Sequence, residues 1–197
     1  MNNVRRSTML MVKLALLSAA AVIFMYFDFP VLPAFPWLKI DLSDIPALVG
    51  AFAFGPLAGI VVEAMKNVLI FFVKGTQTAG IGELANFLIG ATFVGCAGVI
   101  YVRNKTRKMA VISMLVAMVF MSIVGVLANY FLLMPLYGMD KMPAGDLINY
   151  IVAGVVPFNL IKGLLVSAIT LLIYKRISIL IHGAAMENGK RQEKKIA

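Results

Sequence analysis

Glu63, Lys66, Glu83, Asn86, Asn129, Asn159 and Lys162 are costly residues in this sequence, because each falls within or at the edge of a long apolar run. A polar side chain placed in hydrocarbon needs a partner, a water-filled cavity or a ligand, so these positions are where function is sought. Glu63 and Lys66 are three apart and share a helical face. They either neutralise each other or form a protonatable pair of the kind an ion-coupled carrier uses. Glu83 and Asn86 repeat that spacing at the start of another run. An acid there suits the positive end of a helix dipole, and a ligand contact is the alternative. Asn129 and Tyr130 interrupt a third run, and Asn159 and Lys162 lie on one face of the last, just after Pro157. An isolated asparagine often only joins helices. A lysine beside it is harder to account for. Lys162 precedes the basic pair Lys175-Arg176 by 13 residues, about 20 Å of helix at ~1.5 Å per residue. It is too deep to snorkel to that side, and must reach outward, pair or hold a ligand. Asn129, Asn159 and Lys162 are therefore the first candidates for holding a small polar molecule.

Other chemistries lack their residues. The single histidine, His182, follows the last apolar run, so a histidine-based protease or metal site has almost nothing to build on. Gly50 and Gly55 have phosphate-loop spacing, but Pro56-Leu57 stands where Lys and Ser or Thr are required. Any ATP-driven step must use another subunit. The one cysteine, Cys96, sits in an apolar run and reads as a small buried hydrophobe.

The elements that must position these residues are membrane helices. Of 197 residues 61% are hydrophobic and 14% charged, with mean hydropathy +0.94, against about 25% charged in soluble domains. The formal charge of +9 raises nucleic acid as a partner. Nucleic acid is excluded because the basic residues form short clusters between apolar runs, which is the pattern of cytoplasmic loops. Arg5-Arg6 followed by an apolar stretch and Ala19-Ala20-Ala21 resembles a secretory signal. The run continues to Phe27, however, and further runs follow, so it reads as a retained first helix.

At roughly 20 residues per crossing, the clear spans are Met9 to Phe27, Gly82 to Val102, Met109 to Tyr137 and Tyr150 to Ile181. The 29 residues from Ile45 to Val73 form one long helix or two short ones broken at Gly55-Pro56. The positive-inside rule selects two, because only then do Arg5, Arg6, the loop carrying Arg103, Lys105, Arg107 and Lys108, and the basic C-terminal end share one side. The expected fold is all-α: a polytopic membrane protein of six transmembrane helices with both termini inside. Residues 1–186 form one membrane domain and 187–197 a charged cytoplasmic tail. The outer segment Asp28 to Asp44, with Pro30, Pro33, Pro36, Phe29, Phe35 and Trp37, is expected to be non-helical. It is either an interfacial belt or a lid over a pocket.

The block from Leu38 through Lys-Ile-Asp-Leu-Ser-Asp-Ile to Pro46, the run Gly50 to Gly59, the run Gly82-Glu-Leu-Ala-Asn-Phe-Leu-Ile-Gly90, and the Asn129-Tyr130 and Pro157-Phe-Asn-Leu-Ile-Lys162 segments together resemble the riboflavin-specific S components (RibU) of energy-coupling-factor (ECF) vitamin transporters. The resemblance covers nearly all of the chain. It implies a non-enzymatic substrate-binding subunit of the bacterial cell membrane, which captures riboflavin from outside and associates with the coupling subunit EcfT and two EcfA-type ATPases. No cofactor is implied beyond the transported ligand, and binding of FMN stays open. By the same resemblance the ligand lies beneath the loop between the first two helices and touches Asn129, Asn159 and Lys162. Glu83, Asn86, Tyr130, Leu38 and Trp37 are placed in the same site. Small residues of the first helix, here Ala15 and Ala19 on one face, would dock the coupling subunit. An S component for another vitamin, a self-sufficient ion-coupled carrier and a ligand-free scaffold are the alternatives.

Overall fold

The protein, described by a computed structural model over residues 2–76 and 78–174, consists in these residues of six helices and one short hairpin. Lys175, Arg176, His182 and the tail 187–197 lie outside the described residues. The first helix is Asn2–Tyr26, the second Asp44–Phe54, the third Pro56–Lys74 and the fourth Ile81–Tyr101. The fifth runs Arg107–Leu136 and the sixth Ala144–Tyr174. Each is interrupted by a wider π turn, Asn129–Leu133 in the fifth and Tyr150–Val155 in the sixth.

The break at Gly55-Pro56 is where the sequence places it. Gly55 has φ +103°, a conformation open to glycine but strained for other residues, and Pro56 begins the next helix, where a missing N–H costs nothing. Among the described residues five helices are long and apolar enough to cross a bilayer; the second is not. Its 11 residues span about 16 Å at ~1.5 Å per residue, half of the ~30 Å hydrocarbon layer. The outer half of that crossing is made by the non-helical segment 28–43. After the hairpin pairing Phe29 with Ile40 and Pro30 with Lys39, it descends to the middle of the third helix, where Asp44 meets Lys66. Unpaired backbone at such depth is tolerated only when enclosed by protein, and Ile40, Asp41, Ser43 and Asp44 are all buried.

The inner half is held by close packing of small residues and by aromatics. A Cβ on Gly59 would lie 2.7 Å from Ala51 Cβ and 2.9 Å from Ala47 O, so the second and third helices approach to backbone contact there. Phe52 stacks on Tyr101 at 4.2 Å between centroids, and the Tyr101 and Tyr174 hydroxyls bond at 2.8 Å. Cys96 is a half-buried neighbour of this core. Gly59→Ala is expected to lower stability by about 1–3 kcal/mol through overpacking, measured as a lower melting temperature in detergent. An unchanged melt would show that the helix pair is not in backbone contact.

Candidate functional site

The two π turns face each other under the 28–43 segment. Tyr150 Oη donates to Asn129 Oδ1 at 2.7 Å, and Trp37 Nε1 donates to Tyr150 Oη at 3.3 Å. A relay thus joins the segment to the sixth helix and through it to the fifth. Phe35 packs edge-on against Trp37 at 5.8 Å and against Tyr150 at 5.4 Å. Gly154 admits the Phe35 ring, which a Cβ there would approach to 3.0 Å. The aromatic run thus packs against the sixth helix as well as joining the first two helices. π turns recur at functional sites because the wider turn re-aims side chains inward.

Beside this aromatic cluster, sharing Trp37 with it, lies a cavity of about 320 Å³ lined by Trp37, Leu38, Asp41, Glu83, Asn86 and Asn129 among others. Its volume is at the lower end of the ~300–1,000 Å³ usual for small-molecule pockets. Ile70, Ile89, Leu133 and Phe158 supply apolar wall. Asn86 Oδ1 is buried with no hydrogen-bond partner among the described residues, and such an orphaned acceptor calls for a donor from a ligand or water. Glu83 stands at the helix start, where its Oε2 accepts from Thr76 Oγ1 at 3.1 Å and Thr78 Oγ1 at 3.2 Å, and it also lines the cavity. At the mouth, Asp28 pairs with Lys74 at 2.8 Å and with Lys39 at 3.9 Å. A second hollow of about 400 Å³, between the third and fourth helices, is walled by Val68, Phe71, Phe72, Leu84 and Phe87. Phe72 there is 78% exposed, and although Asn67 and Glu83 adjoin this hollow, the surface it presents is almost wholly apolar.

At the inner end of the cavity stands a buried ionic cluster. Lys162 Nζ lies 3.3 Å from Asp41 Oδ2 and 3.2 Å from Asp44 Oδ2. Lys66 Nζ bonds Asp44 Oδ1, Glu63 Oε2 at 2.8 Å and Ser43 Oγ at 2.7 Å. Asp41 Oδ1 accepts from the Ser43 N–H at 2.8 Å and from the Ser43 hydroxyl. The formal balance is three carboxylates, Asp41, Asp44 and Glu63, against two ammonium groups, Lys66 and Lys162.

The sequence candidates thus separate into layers. Trp37, Leu38, Glu83, Asn86 and Asn129 line the cavity. Asn159 is fully buried beside Gly125, donating to Val155 O at 2.9 Å with its Oδ1 unpartnered among the described residues, and it does not reach the cavity wall. Lys162 lies behind Asp41. Tyr130 is 46% exposed and packs edge-on against Phe131, outside the cavity. Glu63 and Lys66 pair with each other, as their spacing allows, but within a larger cluster. Ala15 and Ala19 are exposed on the first helix, in a face that also carries Leu16 and Ile23. Sequence reasoning missed Asp41, Asp44 and Tyr150. A charge count would have found the aspartates: the spans hold Lys66 and Lys162 against Glu63 alone, so another acid must come inward.

Comparison with known proteins agrees with this architecture. The family model for the ECF transporter, substrate-specific component, matches residues 10–174. Similar relatives include "Riboflavin transporter RibU" of Staphylococcus aureus (strain TCH60), 38% identical over 173 residues, covering 85% of this chain and 89% of the relative. "Riboflavin transporter FmnP" of Bacillus subtilis (strain 168) is 34% identical over 173 residues, covering 85% and 90%. A solved chain, described under "Structure and mechanism of the S component of a bacterial ECF transporter", superposes with a TM-score of 0.76 at 35% identity, covering 87% of this chain and 96% of the other. The buried polar cavity, the helical membrane fold and these matches lead to one assignment: the chain belongs to the family of substrate-specific components of ECF transporters.

Proposed function

We propose that this protein is the riboflavin-capturing S subunit of an ECF-type importer of the cell membrane. The observation that carries the reading is the outer cavity, in which Asn86 offers an acceptor with no partner among the described residues and Asn129 an amide oriented by Tyr150, between apolar walls. A flavin suits such a cavity, because its fused rings need apolar surface while its pyrimidinedione edge and ribityl hydroxyls need directional partners. The names of the relatives point to the same ligand. Trp37, Leu38, Glu83, Asn86 and Asn129 contact the ligand, and Asn159 and Lys162 support it from the layer behind. Segment 28–43 closes over it.

Transport itself needs subunits outside this chain: the coupling subunit EcfT, docked on the first helix at Ala15 and Ala19, and two EcfA-type ATPases. Small residues allow a partner helix to approach closely within lipid. Vesicles containing this chain with EcfT and EcfA are expected to accumulate riboflavin only when ATP is supplied on the ATPase side, with thiamin and biotin failing to compete. Ala15→Trp/Ala19→Trp is expected to abolish uptake while leaving riboflavin binding intact. Uptake by this chain alone, driven by a pH gradient without ATP, would overturn the reading in favour of an ion-coupled carrier.

A further inference from the structure

We propose that Asp41 is a ligand-binding residue of this site, accepting a hydrogen bond from an N–H or O–H of the flavin, and that Lys162 and Ser43 are its positioning residues. The proposal rests on the flavin reading above and adds to it a residue and a direction of hydrogen bonding.

Of the five charged side chains in the buried cluster, Asp41 is the one that lines the cavity. Lys162, the expected ligand contact, is only 4% exposed and its ammonium lies between Asp41 Oδ2 and Asp44 Oδ2. An ionised carboxylate has about four lone-pair sites. Oδ1 spends its two on the Ser43 N–H and the Ser43 hydroxyl, and Oδ2 takes one bond from Lys162. One acceptor site on Oδ2 is left, on a residue that forms part of the cavity wall. With Ser43 and Lys162 fixing the carboxylate from behind, that site presents negative charge and no donor. It therefore selects a donor on the ligand: the imide N3–H of the ring system or a ribityl hydroxyl.

Asp41→Asn separates binding from folding. It leaves two carboxylates, Asp44 and Glu63, facing two ammonium groups, so the cluster becomes neutral in formal count. Ser43 claims the amide oxygen, and an NH2 donor then stands where the ligand donor needs an acceptor. Dissociation constants are measured by quenching of flavin fluorescence for riboflavin, 3-methylriboflavin, which lacks the imide N–H, and lumiflavin, which lacks the ribityl hydroxyls. Riboflavin is expected to bind Asp41→Asn about ten- to a hundredfold more weakly, as for loss of a charge-assisted hydrogen bond. For one of the two analogues the variant and the unmutated protein are expected to bind alike, which identifies the donor. Equal losses for all three ligands, or no loss for any, would overturn the proposal while leaving the flavin reading standing. An unmutated protein that binds none of the three would overturn the flavin reading itself. Asp41→Asn/Lys162→Met, which removes one charge of each sign, is the second variant and is expected to give the same pattern across the three ligands.

Discussion

Lys162→Met is expected to destabilise the protein by about 3–5 kcal/mol, the cost of stranding a buried charge without its partner. The variant leaves three carboxylates facing Lys66 alone, at positions where Asp41, Asp44 and Glu63 are all nearly inaccessible. Adding Asp41→Asn to Lys162→Met is expected to recover more than half of the loss, because it removes the acid left without a cation. The measurement is a melting or denaturant curve for each single variant and the pair, closed as a double-mutant cycle. Additive effects would contradict the cluster, since independent sites do not rescue one another. The same cycle distinguishes Lys162 as a support of Asp41 from Lys162 as a direct ligand contact. In the latter case Lys162→Met would weaken ligand binding with little change in the melt of the empty protein.

The second large effect is kinetic. Trp37→Ala removes an aromatic that lines the cavity, packs against Phe35 and Tyr150, and donates to Tyr150 Oη. The rate of riboflavin release is expected to rise by about ten- to a hundredfold, with the association rate changed by less than about threefold, since truncated anchors act mainly on dissociation. Tyr150→Phe cuts the relay but keeps the ring, and is expected to speed release about three- to tenfold, the worth of one neutral hydrogen bond. Stopped-flow displacement of bound riboflavin by excess lumiflavin reads both. Unchanged release from Trp37→Ala would mean that the aromatic segment is a passive belt and not a cover.

Much of this was legible in the sequence because the physics is local. Hydrocarbon thickness fixes span length, and Gly55-Pro56 fixes a break that no helix can pass unaltered. The candidate residues at the cavity wall, Glu83, Asn86 and Asn129, were visible because polar side chains in apolar runs are few. What was hidden is long-range. Asp41 and Asp44 read as ordinary outer-loop acids, since nothing local says that a proline-rich segment descends to the middle of the third helix. Tyr150 began an apolar run and showed no sign of its bond to Asn129, which depends on two π turns meeting across helices. Tyr130 illustrates the reverse error of scale. It adjoins Asn129 in sequence, yet successive residues on a helix point in different directions, and its ring faces outward. Asn159 and Lys162 share a face as their spacing requires, but which layer that face occupies depends on the segment packed in front of it.

The central claim, a flavin held in the outer cavity, is tested most directly by the visible absorption spectrum of the purified chain, followed by identification of whatever it releases on denaturation. The account predicts a yellow protein that releases riboflavin, and a stripped protein whose melting free energy rises by about 2.7 kcal/mol at a riboflavin concentration a hundredfold above the dissociation constant. A colourless protein that neither quenches the fluorescence of added riboflavin nor is stabilised by it would contradict the account.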